Sequence, residues 1–355
     1  MFGVYRTVLA LFVVLQHLGG IPVIGQYAVQ GFFVLSGYLM TYVMHNSYGY
    51  TGSGRIAFAT NRFLRLFPSY WAALVLSVIV ITVIGAASAA QFHPSMRIPD
   101  KPQGWLSNLT MIYPSVHPNT VSPRLSPATW ALTIELVFYA AICLGASSNR
   151  RLTIAWVGVG VAYHVVINTM GFGNGARYFA IPGGSLPFAL GALLYFFKDR
   201  LSLFSPAAKI DGNLAGALIC IVPVILAIAA IGAEGAGNER IATLCYYLNM
   251  AAAMASVAIL QGLSGSKQVD RVIGDLSYHL YILHWIVGMV VFVAILGVPS
   301  SDTYAGPVFP PLLLTIGLCI AISLALTRFI DRPIEQLRKR VKSRSPERPI
   351  HAGIG

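Results

Sequence analysis

The stretch that decides the fold is Val4–Leu18, VYRTVLALFVVLQHL. It is apolar enough to enter a membrane, yet it carries Arg6 and His17. Their spacing is about three helical turns, so both side chains project from one face. The axial offset is roughly 16 Å, about half of a hydrocarbon core ~30 Å thick. With Arg6 at one interface, His17 falls near the midplane. An ionisable group at that depth is costly and faces a cavity or a partner rather than lipid. The rest of the chain then reads as the walls of that cavity.

Composition agrees. Of 355 residues, 56% are hydrophobic and only 10% are charged, with a mean hydropathy of +0.70. These values exclude a soluble domain and imply an all-α polytopic membrane protein. Lys and Arg number 24 against 12 Asp and Glu. In a soluble protein that excess would suggest nucleic acid. In a membrane protein it is the ordinary enrichment of cytoplasmic loops, and no nucleic-acid partner is expected. Cys143, Cys220, Cys245 and Cys319 all lie in apolar stretches, with no Cys-x-x-Cys and no histidine at metal spacing. They read as small buried residues, and no metal site is expected.

About ten transmembrane helices are predicted, at 4–23, 26–44, 64–85, 128–145, 152–170, 180–197, 212–231, 241–262, 276–297 and 308–330. An even count puts both termini on one side. With the termini in the cytoplasm, nineteen Lys and Arg fall inside, including Lys209, Arg344 and Arg348, and five outside. That asymmetry fixes the orientation and supports the count. The longest loop, 86–127, lies outside and is too long for a mere connector. Its Trp105 and Tyr113 suit either a substrate wall, where aromatic rings stack on sugar faces, or an interface anchor. Asn108-Leu109-Thr110 fits a glycosylation sequon, a triplet common by chance. The basic tail from Asp331 is expected along the inner leaflet.

Glu135, in TWALTIELVFYA, is the only acidic residue well inside a predicted span. A carboxylate there must pair or be protonated. Its partner is expected to be His17 or an arginine, with a structural ion pair between helices as the plainer reading. Arg62 and Arg65 in NRFLRLFPSYW are three residues apart, which sets two guanidinium forks side by side and suits phosphate. They equally fit positive-inside anchoring. In IGDLSYHLYILHWIV, Ser277, Tyr281, His284 and Gly288 share one face, a polar stripe that should face the interior. His284 is then a second catalytic group or a satisfied core histidine. His164, with Asn168 one turn on, bonds within its bundle. The chain has no Walker loop, zinc motif or Ser-His-Asp order. The chemistry left is a buried histidine with a carboxylate and arginines: proton abstraction with charge stabilisation. The competing reading is a proton-coupled secondary transporter with His17 and Glu135 as relay. Inverted repeats would favour it, and none is evident.

Several of these stretches, in order, resemble the acyltransferase family 3 membrane proteins. Arg6 and His17 are similar to that family's Arg…His first helix. GFFVLSGYLM, which contains Ser36, resembles its Phe-Phe-x-x-Ser-Gly signature. NRFLRLFPSYW, TWALTIELVFYA and GDLSYHLYILH resemble its Arg-x-x-Arg, Trp-x-Leu-x-x-Glu-x-x-Phe-Tyr and Ser-Tyr-x-x-Tyr-x-x-His elements. The proline that often follows the late histidine is absent after His284-Trp285, and Asp331 stands where a glutamate is usual. The resemblance implies a ten-helix acyltransferase domain, 1–330, and a basic cytoplasmic tail, 331–355. It implies transfer of an acyl group, most simply acetyl from acetyl-coenzyme A, to a hydroxyl of a glycan or lipid-linked glycan at a bacterial inner membrane. On that reading Arg62 and Arg65 hold donor phosphates, and His17 is the general base or relays the acyl group. Arg6 and Glu135 orient it, while Ser36, Trp105, Tyr281 and His284 contact substrate.

Overall fold

A computed structural model of the chain describes residues 2–201, 211–297 and 308–343. Lys209, Arg344 and Arg348 of the charge count, and the tail beyond Ser343, lie outside them. The described helices are α1 Gly3–Gly19, α2 Ile24–Val43, α3 Gly52–Ile84, α4 Ala86–Phe92, α5 Pro102–Thr110, α6 Trp130–Leu144, α7 Arg150–Thr169, α8 Ile181–Tyr195, α9 Lys198–Leu201, α10 Gly212–Leu218, α11 Ile221–Gly235, α12 Glu239–Gly262, α13 Lys267–Leu296, α14 Phe309–Leu326 and α15 Arg332–Ser343. No strand occurs among the described residues.

Among the described residues eight helical segments are long and apolar enough to cross a membrane, and α1 and α8 are shorter apolar helices. Together they are the ten predicted crossings, and their ends alternate between two sides. One side carries the start of α1, with Arg6, and the start of α3, with Arg62 and Arg65. It is called the arginine end below. The other carries His17, near the end of α1, and the loop from 85 to 129.

The helix limits differ from the hydropathy limits for local reasons. Both α3 and α13 begin earlier than expected. Thr51 caps α3 by accepting from the Gly54 amide, and Ser266 caps α13 by accepting from the Val269 amide. Polar first turns therefore continue into the apolar run. As a result Arg62, Arg65, Asp275 and His279 stand inside long helices rather than at helix starts. The predicted span 212–231 is broken into α10 and α11. Pro223 has no amide hydrogen, and its ring opposes the carbonyl four residues back, at Ile219, where the regular turns stop. Gly20, at φ +68°, ends α1 in the left-handed cap that a glycine adopts without strain.

Two glycines let α2 and α8 cross in backbone contact. A Cβ on Gly37 would lie 2.1 Å from the Phe188 carbonyl oxygen, and one on Gly191 would lie 1.9 Å from that of Val34. Small residues at such crossings are how helices approach closely in lipid. The fit also seats Phe33 on Phe188, ring centres 5.1 Å apart.

Loop 85–129 is an ordered cap built on Asn108. That side chain is fully buried. It donates to the carbonyls of Gly104 and Pro123 and accepts from the Leu125 amide and the Tyr113 hydroxyl. The sequon asparagine is thus a structural hub, with no side-chain atom left for modification. Arg124, also buried, donates to the carbonyls of Pro127, Asn119 and Val121.

Candidate active site

The site is organised by the seam between α1 and α13. At the arginine end the Gly3 amide donates to Asp270 Oδ1 at 2.7 Å, and Thr7 Oγ1 donates to the Ile273 carbonyl at 2.6 Å. Gly274 leaves room there: its Cβ would lie 2.7 Å from Gly3 Cα and 2.9 Å from an Arg6 guanidinium nitrogen. At the other end Gly288 makes the same allowance for Leu18, 2.7 Å from the added Cβ. The seam therefore sets both Arg6 and His17 against α13, as their shared face predicts.

His17 Nδ1 lies 2.9 Å from His284 Nε2, and the rings stack with centres 5.1 Å apart. The protons in this pair can be assigned from its neighbour. His284 Nδ1 is 3.2 Å from the Leu280 carbonyl, which can only accept, so Nδ1 carries the hydrogen. In the neutral ring His284 Nε2 is then an acceptor, and His17 Nδ1 must donate to it. His17 Nε2 is left with its lone pair, the state a general base requires. His284 is fully buried, whereas His17 is only partly covered. Gln16 fixes the adjoining turn by accepting from the amides of Gly25 and Gln26 at the start of α2. Trp285 packs on His17 at 5.0 Å, and His93 of the loop packs on Trp285 at 4.6 Å. The Trp285 indole N–H is buried with no hydrogen-bond partner among the described residues.

Towards the arginine end lies a chamber of about 130 Å³. Its polar wall is Arg6, Arg62, Arg65, Ser36, Glu135 and Tyr139; Phe32, Leu132 and Tyr281 line its apolar side. Ser36 Oγ donates to Glu135 Oε1 at 2.9 Å, and the Tyr139 hydroxyl, one turn on from Glu135, donates to the same oxygen. Tyr281 stands between the chamber and the histidine pair, edge-on to Phe32 at 6.4 Å and to His284 at 6.3 Å. Its hydroxyl is fixed on the Ala128 carbonyl at 2.7 Å.

The chamber shares Arg6, Arg62 and Arg65 with a wider vestibule of about 630 Å³, lined by six arginines against three carboxylates. The three shared arginines are not equivalent. Arg65 lies 3.6 Å from Asp275 and 3.5 Å from Asp331. Asp331 also accepts from Ser69 at 2.7 Å and faces the buried His279 at 3.4 Å. Arg65 is therefore braced between α3, α13 and the turn after α14. Neither Arg6 nor Arg62 has a carboxylate partner among the described residues, and the Nε of each is buried without a hydrogen-bond partner. Arg62 donates to Asn61 Oδ1 at 3.1 Å, with a looser contact to Met40 Sδ at 3.6 Å.

The predicted residues thus fall into two layers and one outlier. His17 and His284 form the outer layer. Arg6, Arg62, Arg65, Ser36, Glu135 and the Tyr281 wall form the inner one. Glu135 is not brought to His17. The Tyr281–Ala128 bond puts Ala128 level with Tyr281, and Glu135 is seven residues further along α6, about 10 Å towards the arginine end. His284 is about one turn the other way. Trp105 sits apart on α5, in a surface hollow with Asp100, Lys101 and Leu109. Sequence reasoning did not single out Asp275, Asp331 or His279 as partners of Arg65, although the unusual aspartate at 331 was a signal. His164 bonds within the bundle as expected, to the Tyr247 hydroxyl and the Gly183 carbonyl. Among the described residues no group of His, Cys, Asp and Glu could hold a metal.

The acyltransferase family 3 model, described as an acyltransferase domain, matches residues 2–328. No curated protein matches significantly. No solved structure does either.

Proposed function

The chain belongs to acyltransferase family 3 and is a multi-pass membrane acyltransferase, and on that premise we propose that it moves an acetyl group from acetyl-coenzyme A to a hydroxyl of a glycan or lipid-linked glycan. The observation that carries the reading is the His17–His284 pair, whose hydrogen-bond order leaves His17 Nε2 unprotonated. In the step envisaged, His17 Nε2 takes the proton of the acceptor hydroxyl as its oxygen attacks the thioester carbonyl. The C–S bond then breaks, and the leaving thiolate recovers that proton from the His17 imidazolium. His284 accepts from His17 Nδ1 throughout, which holds the ring and spreads the transient charge.

The donor enters from the arginine end in this reading. Its phosphates suit Arg6 and Arg62, which have no carboxylate partner among the described residues, with Arg65 completing the field. The thioester arm runs through the chamber past Ser36 and Glu135 towards Tyr281, and the acceptor approaches from the loop side. The arginine end then faces the cytoplasm of a bacterial inner membrane, where acyl-coenzyme A is available, and the charge asymmetry supports that orientation. A reporter joined beyond α15 should behave as cytoplasmic, and one within loop 86–127 as external; an external α15 would reverse the proposed entry side.

The direct test is acetyl transfer per molecule of correctly inserted protein. His17→Ala and His17→Gln should each lose about 10²–10⁴ in rate, since glutamine hydrogen-bonds but takes no proton at neutral pH. Near-normal turnover by the glutamine variant would remove His17 from the chemistry.

A further inference from the structure

The vestibule is closed on one side by the C-terminal helix, and that helix brings a charge into it. α14 passes through a wide turn, Thr327–Asp331, into α15, which lies against α3. Asn61 is the joint. Its Nδ2 donates to the Arg338 carbonyl at 3.3 Å, and its Oδ1 accepts from Arg338 Nη2 at 3.3 Å and from Arg62 Nη2 at 3.1 Å. One amide oxygen thus holds two guanidiniums side by side. Like charges so placed repel, and among the described residues the only carboxylate on either is Glu335, 2.7 Å from Arg338 Nη1. The same vestibule wall holds three buried donors with no partner among the described residues: Arg6 Nε, Arg62 Nε and Thr327 Oγ1. Crowded cations and unsatisfied donors on one wall are the complement of a polyanion.

The order of these groups gives the order of the anion. Arg6 and Arg62 line both the chamber and the vestibule, whereas Arg338 lines the vestibule alone, farther from the chamber. In coenzyme A the diphosphate is nearer the thiol arm, and the ribose 3′-phosphate is beyond it. We infer that Arg338, carried on α15, binds the outermost phosphate of the donor, the ribose 3′-monoester, so that the C-terminal helix is a wall of the donor site. The inference rests on the proposed coenzyme A donor. It goes beyond that proposal in assigning a residue and a helix to one phosphate.

The experiment is binding of coenzyme A and of 3′-dephospho-coenzyme A to the purified full-length protein in detergent, for wild type, Arg338→Ala, Arg338→Lys and Glu335→Gln. Wild type should prefer coenzyme A. Arg338→Ala should weaken coenzyme A by roughly 10–100-fold and leave the dephospho form within about twofold, as expected for loss of a charge-assisted hydrogen bond to one group. Arg338→Lys should restore part of the loss, having charge but no fork. Glu335→Gln should tighten coenzyme A, because it frees Arg338 from its competitor. If Arg338 only staples α15 to itself, Glu335→Gln and Arg338→Ala will weaken binding together, and both nucleotides will suffer equally; either result overturns the assignment. Arg338→Ala with unchanged affinity for coenzyme A also overturns it. A wild-type protein that binds neither nucleotide overturns the donor reading itself, which keeps the two failures apart.

Discussion

His17 Nδ1 and His284 Nε2 are 2.9 Å apart, although 267 residues separate them in the chain. Their rings are within 14° of parallel, and the next link, His284 Nδ1 to the Leu280 carbonyl, sets the direction of the bond between them. A buried histidine with both nitrogens engaged is ordinarily a finished structural unit. Here the unit ends on an open lone pair, at His17 Nε2. Of the two sequence readings of His284, the geometry shows the satisfied core residue: it is satisfied by holding the other histidine.

That relationship predicts a graded response at position 284. His284→Gln can still accept from His17 Nδ1 through its amide oxygen, so the required tautomer survives. His284→Leu removes the acceptor and leaves a buried donor unpaired, which costs about 1–3 kcal/mol. Turnover by inserted protein should therefore fall modestly in His284→Gln and by at least about tenfold more in His284→Leu. Equal loss in both variants would mean that His284 does more than hold the tautomer.

Arg62 and Arg65 should separate by experiment as they do in geometry. Arg62→Ala removes a guanidinium with no carboxylate partner among the described residues and should weaken donor binding with little change in melting temperature. Arg65→Ala leaves Asp275 and Asp331 without their cation, the situation in which breaking a partly buried pair is most damaging. Its main effect should be on stability, and Asp331→Asn added to Arg65→Ala should recover part of that loss. The measurement is a double-mutant cycle on thermal unfolding beside donor binding. Additive stability losses at 65 and 331 would show that the pair is not coupled.

Within a helix, much of this was legible. Arg6 and His17 share a face, Glu135 meets Tyr139 one turn on, and Ser277, Tyr281 and His284 are all buried on the inner face of α13. Periodicity reports such relations directly, because they depend only on the turn of one helix. Contacts between helices were not legible in this way. Nothing in the spacing tells that His17 reaches His284 rather than Glu135, since both are ionisable groups near mid-membrane on helices of unknown neighbourhood. Depth decides between them, and depth depends on where each helix starts. Hydropathy places a start at the last charge because charges are costly in lipid. Inside a bundle the cost is met by partners, so α3 and α13 run on through Arg65 and Asp275. The break before Pro223 was not legible from its missing amide hydrogen alone, since Pro68 and Pro187 share that lack and sit inside the unbroken α3 and α8.

The loop that covers the histidine pair should loosen in mild acid. His93 follows α4, and its Nδ1 accepts from the Ser95 amide at 3.1 Å and from the Ser95 hydroxyl at 2.8 Å, so the ring is neutral with its hydrogen on Nε2. Burial pushes its pKa down to about 4, and the positive charge of Arg124 acts in the same direction. A histidine released from this environment titrates near 6.5. Between about pH 6.5 and 4, therefore, the released loop binds the proton that the docked loop refuses. Docking strengthens as pH rises through that window and weakens as it falls, by at most about 1.4 kcal/mol per pH unit for one group. Above about pH 6.5 the contribution is flat. The effect is best read as protection rather than turnover, because turnover in acid reflects every step of the reaction and not the loop alone. Hydrogen exchange across 86–127 should be faster at pH 5 than at pH 7 after correction for intrinsic rates. His93→Gln, which can still accept from Ser95 but does not titrate, should flatten the difference. If the glutamine variant loosens with acid as steeply as the wild type, His93 is not the group that senses it.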